Sequence, residues 1–361
     1  MKAIHITKPG PPSVLHLQET PLPTPLPGQT LIKITAFGIN HAEMHMRRGE
    51  WAEWTPISGI ECVGVIHSCP GNEFPPGTPV ASLMGGLGRT IPGSYAEYTV
   101  ARVENVVPLG PLGPEEEGKK KRLSWAQLAV IPESYATAWT CLMRNLEVKS
   151  GQRVLVRGGT SAFGRAAVNL AVQAGVRVSA TTRRLDRVSG VKALGVEKVF
   201  LEKPDLSQGC SASEKFDAVL DLIGNSTILD SLNLVHRGGR VCLAGFLGGL
   251  DPVRDFNPLL QMASGVHFSF FGSFVFGTEE FPLSDVPLQD IVAMVAEGKF
   301  EAEPSRVFKF GEEGIQEAHR LMEANEAGGK MVVVLEDDVL DDVLEEEEEE
   351  DDDDDDDDDE V

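Results

Sequence analysis

The residues with the clearest chemistry lie between Val154 and Arg187. Val154-Leu155-Val156 is an apolar run, Gly159-Thr160-Ser161-Ala162-Phe163-Gly164 is a turn of small residues, and an alanine-rich stretch follows. A strand that passes through such a turn into a helix offers the free N–H groups of the helix start to a pyrophosphate. Gly159 is assigned the tight turn, and Gly164 the close approach of helix to strand. Ser161 stands where G-x-G-x-x-G has its middle glycine. Serine is small and brings a hydroxyl donor, so the turn is read as a variant phosphate loop. Its setting in a βαβ unit from about Arg153 to Arg184 sets it apart from a plain strand–helix turn. The second strand of that unit decides the nucleotide. It ends Thr181-Thr182-Arg183-Arg184, with Arg187 one turn later. An acidic residue there would hold a ribose 2′-hydroxyl and repel a 2′-phosphate, whereas guanidinium groups pair with the phosphate. The expectation is NADPH, bound by Thr182, Arg183, Arg184 and Arg187 with at least Arg183 or Arg187 on the phosphate; the alternative is that one or two of these arginines simply face solvent.

These groups need a scaffold, and the hydrophobic pattern supplies one. From Arg153 to Gly245 strand and helix signals alternate: strands at Val154–Val156, Arg177–Thr182, Ala218–Ile223 and Val241–Ala244, and helices at Ala166–Ala174 and Val188–Leu194. Such alternation predicts an α/β fold, a doubly wound parallel sheet of Rossmann type covered by helices. The first hundred residues read differently. They are rich in Gly, Pro and short β-like runs, such as Leu31–Ala36, Glu61–Ile66 and Tyr95–Val100, which predicts a second, mainly β domain. Gly110 to Arg122 reads as an exposed loop near a domain boundary. Trp125 to Leu146 has helical spacing broken at Pro132, Leu288–Glu297 is helical, and Lys330–Leu335 is a closing strand.

Composition narrows the function classes. The 361 residues suffice for two domains, and 42% are hydrophobic. The formal net charge is −24, yet 21 Asp and Glu lie between Glu336 and Glu360, which contain no Lys or Arg. The remainder carries 35 acidic and 32 basic residues, so the body is nearly neutral and offers no basic face for nucleic acid. The run 336–361 repels itself and is expected to be a disordered acidic tail, either solubilising or a docking site for a basic partner that remains unknown. Five scattered cysteines, none in C-x-x-C, suggest free thiols in a reducing compartment. No basic-then-apolar leader and no apolar stretch of transmembrane length are seen, so a cytoplasmic protein without membrane partners is expected.

Taken together, the motifs resemble the medium-chain dehydrogenase/reductase superfamily, in its zinc-free quinone-oxidoreductase (zeta-crystallin-like) branch. The likeness spans about Met1 to Leu335 and rests on order and spacing: Met1-Lys2-Ala3-Ile4, Gly38-Ile39-Asn40, Gly59-Ile60-Glu61, Gly93-Ser94-Tyr95-Ala96-Glu97-Tyr98, Thr137-Ala138-Trp139, the cofactor turn, Asp221-Leu222-Ile223-Gly224, Gly238-Gly239-Arg240-Val241 and Gly329-Lys330-Met331-Val332. The resemblance implies a GroES-like catalytic domain (1–128), a Rossmann NADPH domain (129–270), a C-terminal return to the catalytic domain (271–335) and a possible homodimer. Where alcohol dehydrogenases of the superfamily carry zinc-binding Cys and His, this chain has Asn40 and Ile60, and Ala81 to Pro92 lacks the structural-zinc cysteines. No metal is expected.

Several site residues follow from the resemblance alone. Asn40 is a catalytic candidate that would bond the cofactor ribose or the substrate. Thr137, Ala244-Gly245-Phe246, Phe271-Gly272-Ser273 and Lys330 would contact the cofactor. His45 falls in the loop after Asn40, where some relatives place a Tyr, and is the candidate general acid. His41 and Tyr95 are weaker candidates, and solvent is the alternative proton source. Phe270, Phe271, Phe274 and Phe276 would form either an aromatic wall or core. The expected activity is hydride transfer from NADPH to a quinone or enone. The alternatives are an enoyl reductase for a CoA- or carrier-linked substrate, and an NADPH-binding protein with little turnover.

Overall fold

The computed structural model describes residues 1–110, 123–300 and 302–335. Most of the expected loop at 110–122 and the whole acidic segment 336–361 lie outside the described residues.

The βαβ unit with the glycine-rich turn sits in a six-stranded sheet. Counting on from seven strands of the N-terminal part, its strands are β8 (Arg153–Arg157), β9 (Arg177–Thr182), β10 (Lys198–Leu201), β11 (Phe216–Asp221), β12 (Val235–Leu243) and β13 (His267–Phe270). They lie in the order β10-β9-β8-β11-β12-β13, and every neighbouring pair is parallel. This is the 3-2-1-4-5-6 order of a dinucleotide fold, with its switch point between β8 and β11. Val154, Leu155 and Val156 of β8 are wholly buried, as a central parallel strand requires.

The N-terminal part forms a hairpin, β1 (Lys2–Ile6) with β2 (Leu15–Glu19), and a seven-stranded sheet. That sheet contains β3 (Gln29–Gly38), β4 (Glu61–Ser68), β5 (Pro79–Leu83), β6 (Tyr98–Arg102) and β7 (Val106–Pro108). Two late strands, β14 (Arg306–Lys309) and β15 (Met331–Val334), complete it: β15 pairs antiparallel with β3, placing Val332 opposite Gly38. The chain thus leaves this sheet, builds the parallel one, and returns. The segment expected as a strand from Tyr95 begins only at Tyr98. Tyr95 points its ring inward, stacked on Phe37, and Ala96 makes a single bridge to Ala3.

Helices place the site. In chain order they are α1 (His41–Arg48), α2 (Trp125–Ala129), α3 (Pro132–Thr140), α4 (Ala162–Gln173), α5 (Val188–Ala193), α6 (Ile228–Ser231), α7 (Pro258–Gln261), α8 (Leu288–Ala296) and α9 (Glu312–Glu323). Pro132 does not merely break a helix. It occupies the first turn of α3, where its missing N–H costs nothing. α1 replaces the loop expected after Asn40: Glu43 returns its carboxylate to the Asn40 amide (2.7 Å), and Gly49 ends the helix at φ +72°. Among the described residues, no helix is long and apolar enough to cross a membrane.

Candidate active site

The glycine-rich turn follows directly from β8. Gly158, not Gly159, takes the left-handed conformation (φ +85°). Gly159 serves packing instead, since a Cβ there would lie 2.8 Å from that of Ala180 on β9. Gly164 carries the close approach: a Cβ would come within 2.2 Å of the Gly158 carbonyl oxygen. The Ser161 hydroxyl is not free for phosphate. It donates to the Gly158 carbonyl (2.9 Å) and accepts from the Gly164 amide (3.0 Å), capping α4. The orphan amides of the next residues, Ala162 and Phe163, remain at the open helix start.

A large cleft runs from this turn to the seven-stranded sheet, with about 1550 Å³ of space including its open mouth. Thr160 to Phe163, Thr182, Arg183 and Arg187 line its outer end. A smaller adjoining cavity is lined by Thr160, Thr182, Arg183, Arg184, Arg187, Ala324 and Asn325. Arg183 donates to the Asn325 side chain (2.8 Å) and Arg187 to its carbonyl (3.3 Å), so both guanidiniums converge across the cleft on one residue of the C-terminal return. Arg184 differs. It forks onto Asp186 (2.6 and 3.1 Å), and that pairing holds Asp186 below its ordinary range. The other acid at this end, Glu202, is neutralised by Arg157, which also bonds Asp230 (2.8 Å).

At the inner end, Asn40, His41, His45, Trp51, Glu133, Ser134, Ala244 to Phe246 and Phe270 to Phe274 line the cleft. Phe276 does not join the wall; it is buried behind, edge-on to Phe271. Two residues expected on the cofactor lie beneath the surface. Thr137 is buried and donates its hydroxyl to Glu133 (3.1 Å). Lys330, also buried, passes over Gly38, where any Cβ would sit 2.2 Å from its Cε. Its ammonium donates to Glu61, to Asn40 Oδ1 (2.7 Å) and to Ser134 (3.4 Å). The Asn40 amide in turn donates to Glu61 (2.8 Å) and Glu43 (3.2 Å), so both ends of that side chain are engaged.

Beneath Asn40 lies a set of ionisable groups of which the sequence singled out only Tyr95. The Glu43 carboxyl accepts from Asn40, from the Ile60 amide (3.1 Å) and from Tyr95 (2.7 Å), whose oxygen also contacts His319 (2.9 Å). Burial pushes Glu43 up to about 7 and drives His319 down to about 3. Tyr95 is therefore fully buried and away from the cleft. His45 does reach it, on α1 and not on a loop, with its ring on Trp51 (5.9 Å) and Nδ1 against Glu50 (2.5 Å). His41 is held near 4, chiefly by burial. Among the described residues, no group of three or more His, Cys, Asp or Glu is arranged to hold a metal.

Comparisons with known proteins agree with this architecture. Residues 26–111 match the alcohol dehydrogenase GroES-like domain family, and residues 194–333 match the family described as zinc-binding dehydrogenase. A quinone oxidoreductase of Pongo abelii is 30% identical over 303 residues, 80% of this chain and 85% of that protein. Among solved structures, the quinone oxidoreductase of Coxiella burnetii is 26% identical with a TM-score of 0.76, over 93% of this chain and 99% of the other. A mycobacterial protein solved in complex with NADPH is 25% identical with a TM-score of 0.78, over 92% and 99%.

Proposed function

Because the chain belongs to the medium-chain dehydrogenase/reductase superfamily, we propose that it is an NADPH-dependent, zinc-independent reductase of quinones or similar conjugated carbonyls. The observation that carries the reading is the convergence of Arg183 and Arg187 at the outer end of the cleft, one turn beyond a strand that ends without an acidic residue. Two guanidiniums suit a 2′-phosphate, and the acids nearby, Asp186 and Glu202, are each neutralised by an arginine. The turn fits the rest of a dinucleotide: Gly158 and Gly164 bring the backbone close, and the start of α4 faces the cleft. Ala244 to Phe246 and Phe271 to Ser273 would flank the ring at the inner end. When bound, a dihydronicotinamide supplies a hydride.

The chain's own residues orient the acceptor and keep water out. Phe270, Phe271, Phe274 and Trp51 give the inner end flat apolar walls suited to a planar ring. Asn40 and Ile60 stand at the zinc-ligand positions of alcohol dehydrogenases; the Asn40 amide is taken by Lys330 and Glu61, and Ile60 is a buried alkyl group. Without a Lewis acid at that point, the acceptor must already be electrophilic, as quinones and enones are. We take 1–128 with 271–335 as the catalytic domain and 129–270 as the cofactor domain, a division supported by the pairing of β15 with β3.

The test is oxidation of NADPH and of NADH against a panel of quinones and enones, with the metal content of the protein measured alongside. Acceptor-dependent oxidation that prefers NADPH and survives chelation is expected. Tight NADPH binding with no acceptor-dependent oxidation would overturn the enzymatic reading, and stoichiometric zinc would overturn the metal-free one.

A further inference from the structure

We propose that Glu133 is a catalytic residue of this reductase, the acid that delivers the proton completing reduction of the acceptor. The proposal rests on the reductase reading above. Among the described residues lining the cleft, the two carboxyls are Glu133 and Glu202, and Glu202 is tied to Arg157 at the cofactor end. Glu133 lies at the inner end, in the first turn of α3, beside Ser134 and Ser273.

The other candidates are occupied or mismatched. His45 is bound to Glu50 and stacked on Trp51. Lys330 is buried beneath the cleft with three partners. Tyr95 does not line the cleft. His41 lines it, but an imidazole held near 4 has no proton to offer at neutral pH. Asn40 does not titrate.

The surroundings of Glu133 keep a proton available. Its own amide donates to Glu61 Oε2 (2.7 Å), so that donor does not stabilise its carboxylate. Thr137 donates to Oε1, the Ser273 hydroxyl is a second partner, and Lys330 favours the ionised form. Burial and the Glu61 charge oppose them, and burial wins, leaving the carboxyl above its ordinary range. The Cys141 thiol, held well above its usual range by burial, faces the same carboxyl and carries no charge against it.

The step balances. The acceptor gains a hydride, with its electron pair, from the dihydronicotinamide, which is oxidised. The O–H bond of Glu133 breaks, a new O–H bond forms on the acceptor oxygen, and the carboxylate regains its proton from water at the open mouth.

Glu133→Gln keeps the shape and the Thr137 contact but has no proton to give. In this variant kcat with a quinone should fall about 100-fold, and the loss of rate at high pH expected of the parent should disappear. The Kd for NADPH, titrated without acceptor, should stay within about twofold. Glu133→Asp, which keeps an acid, should restore part of the rate and the pH limb. An independent readout is infrared titration of the protein alone. The protonated-carboxyl absorption persisting above the ordinary carboxylate range should have a Glu43 and a Glu133 component; Glu133→Gln should lose one of them, and that same component should survive in Glu43→Gln. A Glu133→Gln enzyme with parental kcat and pH profile overturns the proposal, as does a Glu133 carboxyl that ionises in the ordinary range. If the parent shows no acceptor-dependent oxidation, the reductase reading falls and this role falls with it, whereas the infrared result reports on the carboxyl in either case.

Discussion

At the residue scale, the cost of burying charge dominates the inner end of the cleft. Glu43 illustrates it. Four donor contacts converge on its carboxyl from Asn40, Ile60 and Tyr95, an arrangement that suits an ionised group. Complete burial still pushes it up to about 7, from the 4.5 of an exposed glutamate. The folded state therefore holds this proton more tightly than the unfolded chain. The stability so contributed is complete below about pH 4.5 and is lost as pH rises through about 7, amounting to about 3 kcal/mol. Glu133 acts in the same sense, while His41 and His319, depressed by burial, act oppositely by losing stability as pH falls. The difference between parent and Glu43→Gln isolates the single group. Denaturant unfolding should give a difference that changes between pH 4.5 and 7 and is flat outside that window; a constant offset across the range would show that Glu43 ionises normally. The buried pair Lys330–Glu61 has the reverse character, because each charge depends on the other. Lys330→Met should cost about 3–5 kcal/mol by stranding the Glu61 carboxylate. Lys330→Met combined with Glu61→Gln should recover part of the loss, and simple additivity in that cycle would deny the coupling.

At the element scale, the phosphate turn sets two effects of glycine against each other. Gly164 is helical, and alanine in its place gains about 1 kcal/mol of helix propensity. The added Cβ, however, would meet three backbone atoms of Gly158 and Gly159 at 2.2 to 3.0 Å, and backbone cannot swing aside as a side chain does. Displacement of the start of α4 should win. Gly164→Ala should weaken NADPH binding at least about tenfold, equivalent to about 1.4 kcal/mol, measured by titrating cofactor without acceptor; unchanged affinity would show that the helix start does not hold the dinucleotide. This part of the molecule was readable from sequence because strand, turn and helix are contiguous, and their periods of 2 and 3.6 are local signals. Even so, the turn was shifted by one glycine: Gly158 bends the chain, and Ser161 caps the helix. The inner end was less readable. α1 buries polar Glu43 and His45 and turns His41 to the cleft, so its pattern looks like loop. The Glu43–Tyr95–His319 group joins residues 52 and 224 positions apart, and no spacing rule spans such distances. Asn40 and Lys330 were both singled out as separate contacts to a ligand, but they bond each other across 290 positions. The signal that would have exposed this was the pairing of β15 with β3, which sets Val332 against Gly38 and brings Lys330 to Asn40.

At the scale of the whole molecule, the cleft exists because the chain closes on itself. The strand after Gly329 joins the sheet begun at Gln29, and α9 ends at Glu323, close to the Asn325 that meets Arg183 and Arg187. The outer end of the cleft is thus built from both halves of the fold, and a ligand held there would stabilise their union as well as the turn. That makes thermal stability a direct measure of the 2′-phosphate. A cofactor at about 100 times its Kd adds about 2.7 kcal/mol to unfolding. If the guanidinium pair holds the phosphate, NADPH should raise Tm more than NADH at equal concentration. The excess should shrink with added salt, since Arg183 is exposed and Arg187 partly so. In Arg183→Ala/Arg187→Ala the NADPH shift should drop to that of NADH, while the NADH shift stays near its parental value. Asn325→Ala removes the side-chain contact to Arg183 but leaves both charges, so it should retain the NADPH excess. Equal loss of both cofactor shifts in the double arginine variant would instead assign Arg183 and Arg187 to holding the two halves of the cleft together, with no part in choosing the nucleotide.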